Sequence, residues 1–188
     1  MEHDGYYAVH NTGDEPPPEP SSIVIDVDLQ SVITTSYLAQ HYFRQSPNDG
    51  KGPRSLIITA SCGGLYACPV QPIYGAAKHG VVGFTRNIAD RAWREDQVRV
   101  NAICPGSVKT NLMSPEAWTT FPEEYYIPVE RVAEVVLMLL NEDDEGKPFV
   151  GQTVELSGMK YYFRKQYDYC DEAMSRTMGA TYVNEYRS

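Results

Sequence analysis

The sequence contains no apolar run of the ~18 residues that a membrane-crossing helix needs, so a membrane span is not expected. Its first residues, MEHDGYY, supply neither a basic segment nor an apolar one. A secretory leader is therefore not expected, and the cytoplasm is the expected compartment. Basic residues are in deficit: 16 Lys and Arg stand against 25 Asp and Glu, giving a net charge of −9 and a pI of about 4.9. Phosphate backbones and anionic lipid surfaces attract the opposite sign, which disfavours nucleic acid and membrane as partners. Cysteines are few (Cys62, Cys68, Cys104 and Cys170), and no two have C-x-x-C spacing. They read as small buried side chains in a reducing compartment. The four histidines, His3, His10, His41 and His79, are scattered, so no metal site is expected.

What is present fits one folded domain: 188 residues, 42% of them apolar, suffice for a core. Residues 5–9 (GYYAV) form a short apolar run that predicts a strand, followed by the turn His10–Gly13 and the loop DEPPPEP. Apolar spacing predicts a helix from Leu29 to about Phe43. SLIITA (Ser55–Ala60) and QVRVNAIC (Gln97–Cys104) are short β-branched runs typical of buried parallel strands. Between them Ile73–Trp93 reads as a long helix, its first half crowded with Gly75, Ala76, Ala77, Gly80 and Gly83. Residues 107–128 read as irregular, Val129–Leu140 as a third helix, and Pro148–Gly158 as a last strand. In the tail, Phe163, Tyr167, Cys170, Met174 and Met178 recur at spacings that predict one helix face, ended by Gly179. Alternating strands and helices imply an α/β fold with a parallel sheet of about four strands flanked by helices. The chain divides into a domain over 1–158 and a tyrosine-rich extension over 159–188.

Ser61 follows the strand SLIITA, Tyr74 comes thirteen residues later, and Lys78 lies one helical turn beyond Tyr74. A lysine ammonium beside a phenol stabilises the phenolate form. A serine hydroxyl at the end of the neighbouring strand can hold a carbonyl or hydroxyl oxygen against that phenol. This is a general acid/base arrangement. Its place, at the carboxyl ends of parallel strands, is where open α/β sheets bind ligands. Tyr-x-x-x-Lys alone is a weak signal. It gains weight from the run SCGGLYACPVQPIYGAAKHGVVGFTR, followed at a suitable distance by VRVNAICPGSVKT.

From about residue 7 to 158 the sequence resembles the short-chain dehydrogenases/reductases, especially prostaglandin-dehydrogenase-like and fungal branches. The resemblance implies catalytic roles for Ser61, Tyr74 and Lys78. It implies that Pro105, Gly106 and Thr110 match the segment that embraces the nicotinamide, and that Asn11 matches the second asparagine of the family's N-N-A-G turn, close to the substrate. The fold it implies is a truncated Rossmann-like sheet, because the family's opening T-G-x-x-x-G-x-G turn and its second strand have no counterpart here. Those glycines let the backbone approach a pyrophosphate.

Asp28 stands in IDVDL where the family carries a catalytic asparagine. It either pairs with Lys78 and weakens the lysine's effect on Tyr74, or serves as a base itself, or caps the helix near Leu29.

These features lead first to a non-redox enzyme with no cofactor, moving protons on a carbonyl-containing small molecule by isomerisation, epimerisation, dehydration or cyclisation, in specialised metabolism. Trp118, Phe121, Tyr125 and Tyr126 are then candidate contacts to an apolar or aromatic substrate, or ordinary lid packing. The alternative is an oxidoreductase using NAD or NADP, with the missing half absent by artefact or supplied by a partner. A third reading is a non-catalytic dimerisation partner of a longer relative. The resemblance also implies a homodimer formed through the helices near 29–43 and 73–93.

Overall fold

A computed structural model describes residues 6–46, 54–111, 115–119 and 122–183. The sheet has four strands in the order β1-β2-β3-β4: β1 Arg54–Thr59, β2 Val98–Pro105, β3 Thr153–Ser157 and β4 Lys160–Phe163. The first three run parallel, with Thr59 opposite Ile103 and Pro105 opposite Leu156. β4 turns back antiparallel through Gly158, whose φ of +53° suits a residue without a Cβ. The expected α/β sheet of four strands is therefore present, with a different membership.

Residues 6–9 are not a strand. Tyr6 and Tyr7 form a turn, and Val9 is 98% exposed. Apolar residues alone do not make a strand; a neighbour must pair its backbone and cover one face. Among the described residues β1 pairs with β2 alone, so its other edge is bare. The fourth strand comes instead from beyond residue 158. Phe163 lies opposite Val154 and stacks on Phe149 at 5.7 Å. Phe163 and Tyr167 therefore do not belong to the tail helix. That helix, α6, covers Glu172–Val183 and runs past Gly179.

β2 lies between its neighbours and is buried along nearly its whole length. Its alternating side chains feed two cores. Val98, Val100 and Cys104 pack with Ile58, Val81, Val82 and Ala89 on the side of helix α3 (Pro72–Asp96). Ile103 packs with Val154, Leu156, Val135 and Leu139 on the side of helix α5 (Val129–Leu140). Asn101 is fully buried within β2, yet satisfied. Its Nδ2 donates to the Phe149 carbonyl and its Oδ1 accepts from the Gln152 N–H, both at 2.8 Å. Burial also pushes the Cys104 thiol up to about 12, leaving it a neutral core side chain. The other cysteines do not follow the expectation of burial: Cys62 and Cys68 are half-buried and Cys170 is exposed.

The helix expected from Leu29 starts earlier. α1 (Ile23–Ile25) continues through a π-helical turn, Asp26–Gln30, into α2 (Ser31–Gln45). α3 begins with Pro72 at its first position, where no N–H is missed, and ends on Gln97 in the left-handed region. Several small residues in α3 admit neighbours from the same chain: a Cβ on Gly80 would meet Leu29 at 2.9 Å, and one on Gly75 would meet Cys68 at 3.0 Å. Short pieces α4 (Pro115–Trp118) and a 3-10 turn (Glu123–Tyr125) interrupt the loop before α5. Among the described residues no helix is long and apolar enough to cross a membrane, and no three potential metal ligands cluster.

Arg44 near the end of α2 clamps the end of α3. Its Nε donates to both Asp96 carboxylate oxygens at 2.9 Å, and its Nη2 donates to one at 2.7 Å. The Arg44 hydrogen bonds hold the Asp96 carboxyl below its ordinary value of 3.8, against the opposing pull of burial. A carboxyl lowered in the folded state stabilises above its unfolded value and loses that effect as pH falls through the folded one. Asp96→Asn protein should therefore melt below wild type at neutral pH and converge on it below about pH 4. Melting curves offset equally at every pH would refute the clamp.

Candidate active site

β1 delivers the chain to Ser61 at its carboxyl end, after the Ala60 N–H donates to the Ile103 carbonyl at 2.8 Å. Ser61 is extended and caps a single 3-10 turn, Cys62–Gly64, its Oγ accepting from the Gly63 N–H at 3.1 Å. This turn sits directly on the first turns of α3. A Cβ on Gly63 would meet the Tyr74 ring at 3.1 Å and Ser61 Oγ at 3.6 Å. One on Gly64 would meet the Lys78 carbonyl oxygen at 2.5 Å. The two glycines thus let the serine turn approach the helix that carries the tyrosine and lysine. The paired glycines after Ser61 were visible in the sequence, but their function as a spacer was not.

Tyr74 is half-buried, and Lys78 is buried with its Nζ 5.5 Å from the centre of the Tyr74 ring. The same Nζ donates to Asp28 Oδ1 at 2.8 Å. Asp28 is not a helix cap. It lies inside the π-helical turn, with helix on both sides. Of the three readings open for Asp28, pairing with Lys78 is the one seen. The ammonium is thus shared between a carboxylate and the face of the phenol. Burying an ammonium without a partner is unfavourable by several kcal/mol, so Asp28 also makes the burial of Lys78 tolerable.

Pro105 ends β2 at the same edge of the sheet, and the Gly106 N–H donates to the Leu156 carbonyl at 3.0 Å. Ser61 and Pro105–Gly106 therefore leave adjacent parallel strands at their carboxyl ends, where such sheets hold ligands.

A family model described as short chain dehydrogenase matches residues 10–119, more than half of the chain. The chain belongs to the short-chain dehydrogenase family. Among curated relatives, a Penicillium rubens protein named short-chain dehydrogenase/reductase prx7 is 46% identical over 185 residues, covering 89% of this chain and 64% of its own. Human 15-hydroxyprostaglandin dehydrogenase [NAD(+)] is 42% identical over 90 residues, covering 47% of this chain and 33% of that enzyme. The chain thus spans between a third and two thirds of these relatives. A solved structure of 3-hydroxyacyl-CoA dehydrogenase type-2 from Mycobacterium avium is 25% identical, with a TM-score of 0.63 over 81% of this chain and 62% of that one. A 3-oxoacyl-[acyl-carrier protein] reductase from Brucella melitensis in complex with NAD shares the fold at a TM-score of 0.64 and 19% identity, over 84% of this chain and 61% of that one.

Other positions singled out for the family site are more dispersed. Asn11 lies exposed in the irregular segment before α1. Trp118 is buried, its indole N–H donating to the Thr110 carbonyl at 3.0 Å. Its ring meets Tyr126 edge-on at 5.5 Å, and the Tyr126 hydroxyl donates to the Trp118 carbonyl. These contacts tie the loop after β2 to itself. Tyr125 is 60% exposed on the 3-10 turn, and Phe121 lies outside the described residues.

Short-chain dehydrogenase relatives carry NAD in their names or structures. In this chain the sequence keeps Pro105, Gly106 and Thr110, the positions that the family resemblance assigns to the nicotinamide end. The pyrophosphate end has no matching residues. No T-G-x-x-x-G-x-G turn occurs in the sequence, and residues 6–20 lie exposed without helix or strand. The residues of this chain do not by themselves fit a whole dinucleotide.

Proposed function

We propose that this chain is the acid/base part of an NAD(P)-dependent oxidoreductase acting on a small alcohol or ketone, with the pyrophosphate grip supplied from outside these 188 residues. What supports the reading is Tyr74 set against the buried Lys78, which pairs with the half-buried Asp28, and facing the same Gly63 as Ser61 Oγ, in a chain 46% identical to a named dehydrogenase/reductase. A bound nicotinamide would supply or take up the hydride; this chain's task is the proton. The Tyr74 hydroxyl gives a proton to a carbonyl oxygen in reduction and takes one from a hydroxyl in oxidation. Ser61 Oγ holds that oxygen. Lys78 favours the tyrosinate that remains, less strongly for sharing its charge with Asp28, which keeps the lysine in place.

A second reading uses the same three groups without redox chemistry, as proton transfer through an enolate. The absence of a pyrophosphate cradle from the sequence favours it. The two readings separate by isotope. Ketones are incubated with millimolar NADH and NADPH carrying two deuteriums at C4. The oxidoreductase reading expects deuterium on the carbinol carbon of the product, and none with Tyr74→Phe. Solvent deuterium entering beside the carbonyl with no dinucleotide present would overturn it in favour of the second. Neither label, even when Tyr74→Phe and wild type are compared with a longer relative of the chain present to supply the grip, would leave the non-catalytic partner.

A further inference from the structure

Away from the serine, tyrosine and lysine lies a cavity of about 290 Å³ between the middle of α3 and the chain leaving β4. Twelve residues of helix separate Arg86 from Tyr74, about 18 Å at ~1.5 Å per residue. The walls include Arg86, Gln152, Phe163, Arg164, Lys165 and Gln166. They hold three cations and no carboxylate, in a protein whose net charge is −9.

Two of the cations are held by hydrogen bonds. The Arg164 N–H donates to the Thr153 carbonyl at 2.8 Å, which fixes the chain past β4 beside β3. Arg86 Nη2 then donates to the Arg164 carbonyl at 3.1 Å, bringing the helix cation to the rim. The Arg164 side chain turns back toward the sheet: its Nε lies 3.2 Å from Glu155 Oε2, and its Nη2 donates to the Tyr66 hydroxyl at 2.9 Å. Tyr66 in turn donates to Glu155 at 3.1 Å. Glu155 therefore offsets one cation. Among the described residues, neither Arg86 nor Lys165 is paired with a carboxylate. Phe163, stacked on Phe149 with planes 14° apart, supplies an apolar wall.

We infer that this cavity is a second binding site, for a small aromatic or aliphatic molecule bearing an oxyanion, either a carboxylate or a phosphate monoester. Guanidinium groups present paired N–H donors that match both kinds of oxyanion, and the ring covers the apolar remainder. The site does not depend on which reaction Tyr74 performs.

Calorimetric titration of the purified chain with benzoate and with phenyl phosphate, at constant ionic strength set by chloride, tests it. At least one is expected to bind saturably, and which one binds tighter names the oxyanion. The double variant Arg86→Gln with Lys165→Gln is expected to bind that probe at least about fivefold more weakly. If the double variant does not fold, Lys165→Gln alone, at an exposed position, is expected to weaken binding at least about twofold. No saturable binding by either probe, or smaller losses than these, would overturn the site.

Discussion

Tyr74→Phe protein is expected to lose about a thousandfold in kcat, with KM changed little, in whichever assay detects turnover. The phenyl ring keeps the contact with Gly63 and the position over Lys78, so the substrate's surroundings persist. Only the hydroxyl that moves the proton is gone. Thermal melting should be close to wild type, which separates lost chemistry from lost folding. A loss of less than about tenfold would mean that proton transfer does not limit turnover, or that another group performs it. An equal rise in KM and fall in stability would point to a structural role for the ring.

The second large effect concerns a residue with no functional group. Gly64→Ala is expected to destabilise the fold by about 3 kcal/mol and to abolish activity at moderate temperature. The new methyl would stand 2.5 Å from the Lys78 carbonyl oxygen, 2.8 Å from its carbon and 3.0 Å from Val82 Cγ2. Helix backbone inside a packed core does not yield, so the serine turn must move off α3. Ser61 moves with it. Gly83→Ala on the same helix is the control. A Cβ there meets nothing within 4 Å, and replacing a mid-helix glycine should stabilise by up to ~1 kcal/mol. If both variants melt alike, close contact between the serine turn and α3 does not hold the site.

How legible these features were depended on how far apart the partners lie. α3 and α5 announce themselves: apolar residues recur on one face, Pro72 sits at a helix start, and α5 spans Val129–Leu140 as the spacing predicts. β1 and β2 are apolar on both faces because helices cover both, and that pattern is local. The run at 5–9 is apolar too, but among the described residues no strand pairs with residues 6–9, and no local pattern reveals that. β4 was hidden by a coincidence of spacing: Phe163 and Tyr167 suit a helix in sequence, while the opposing Val154 decides for a strand. In the site, Ser61, Tyr74 and Lys78 were legible from their motif. The Asp28–Lys78 pair was one of three open possibilities, its partners being 50 residues apart. The Tyr66, Glu155 and Arg164 cluster left no trace, since its contacts span 89 and 98 residues.

The π-helical turn at Asp26–Gln30 has one further implication. A π turn takes in an extra residue, so the helix before it is out of phase with the helix after it. One residue corresponds to about 100° of rotation around a regular helix. The carboxylate that pairs with the ammonium lies within this re-phased stretch. In a relative whose helix runs regular through the same stretch, an aspartate at the matching position would be swung about a quarter of the way around the axis. Sequence identity at that position therefore says little unless the winding of the helix is shared as well.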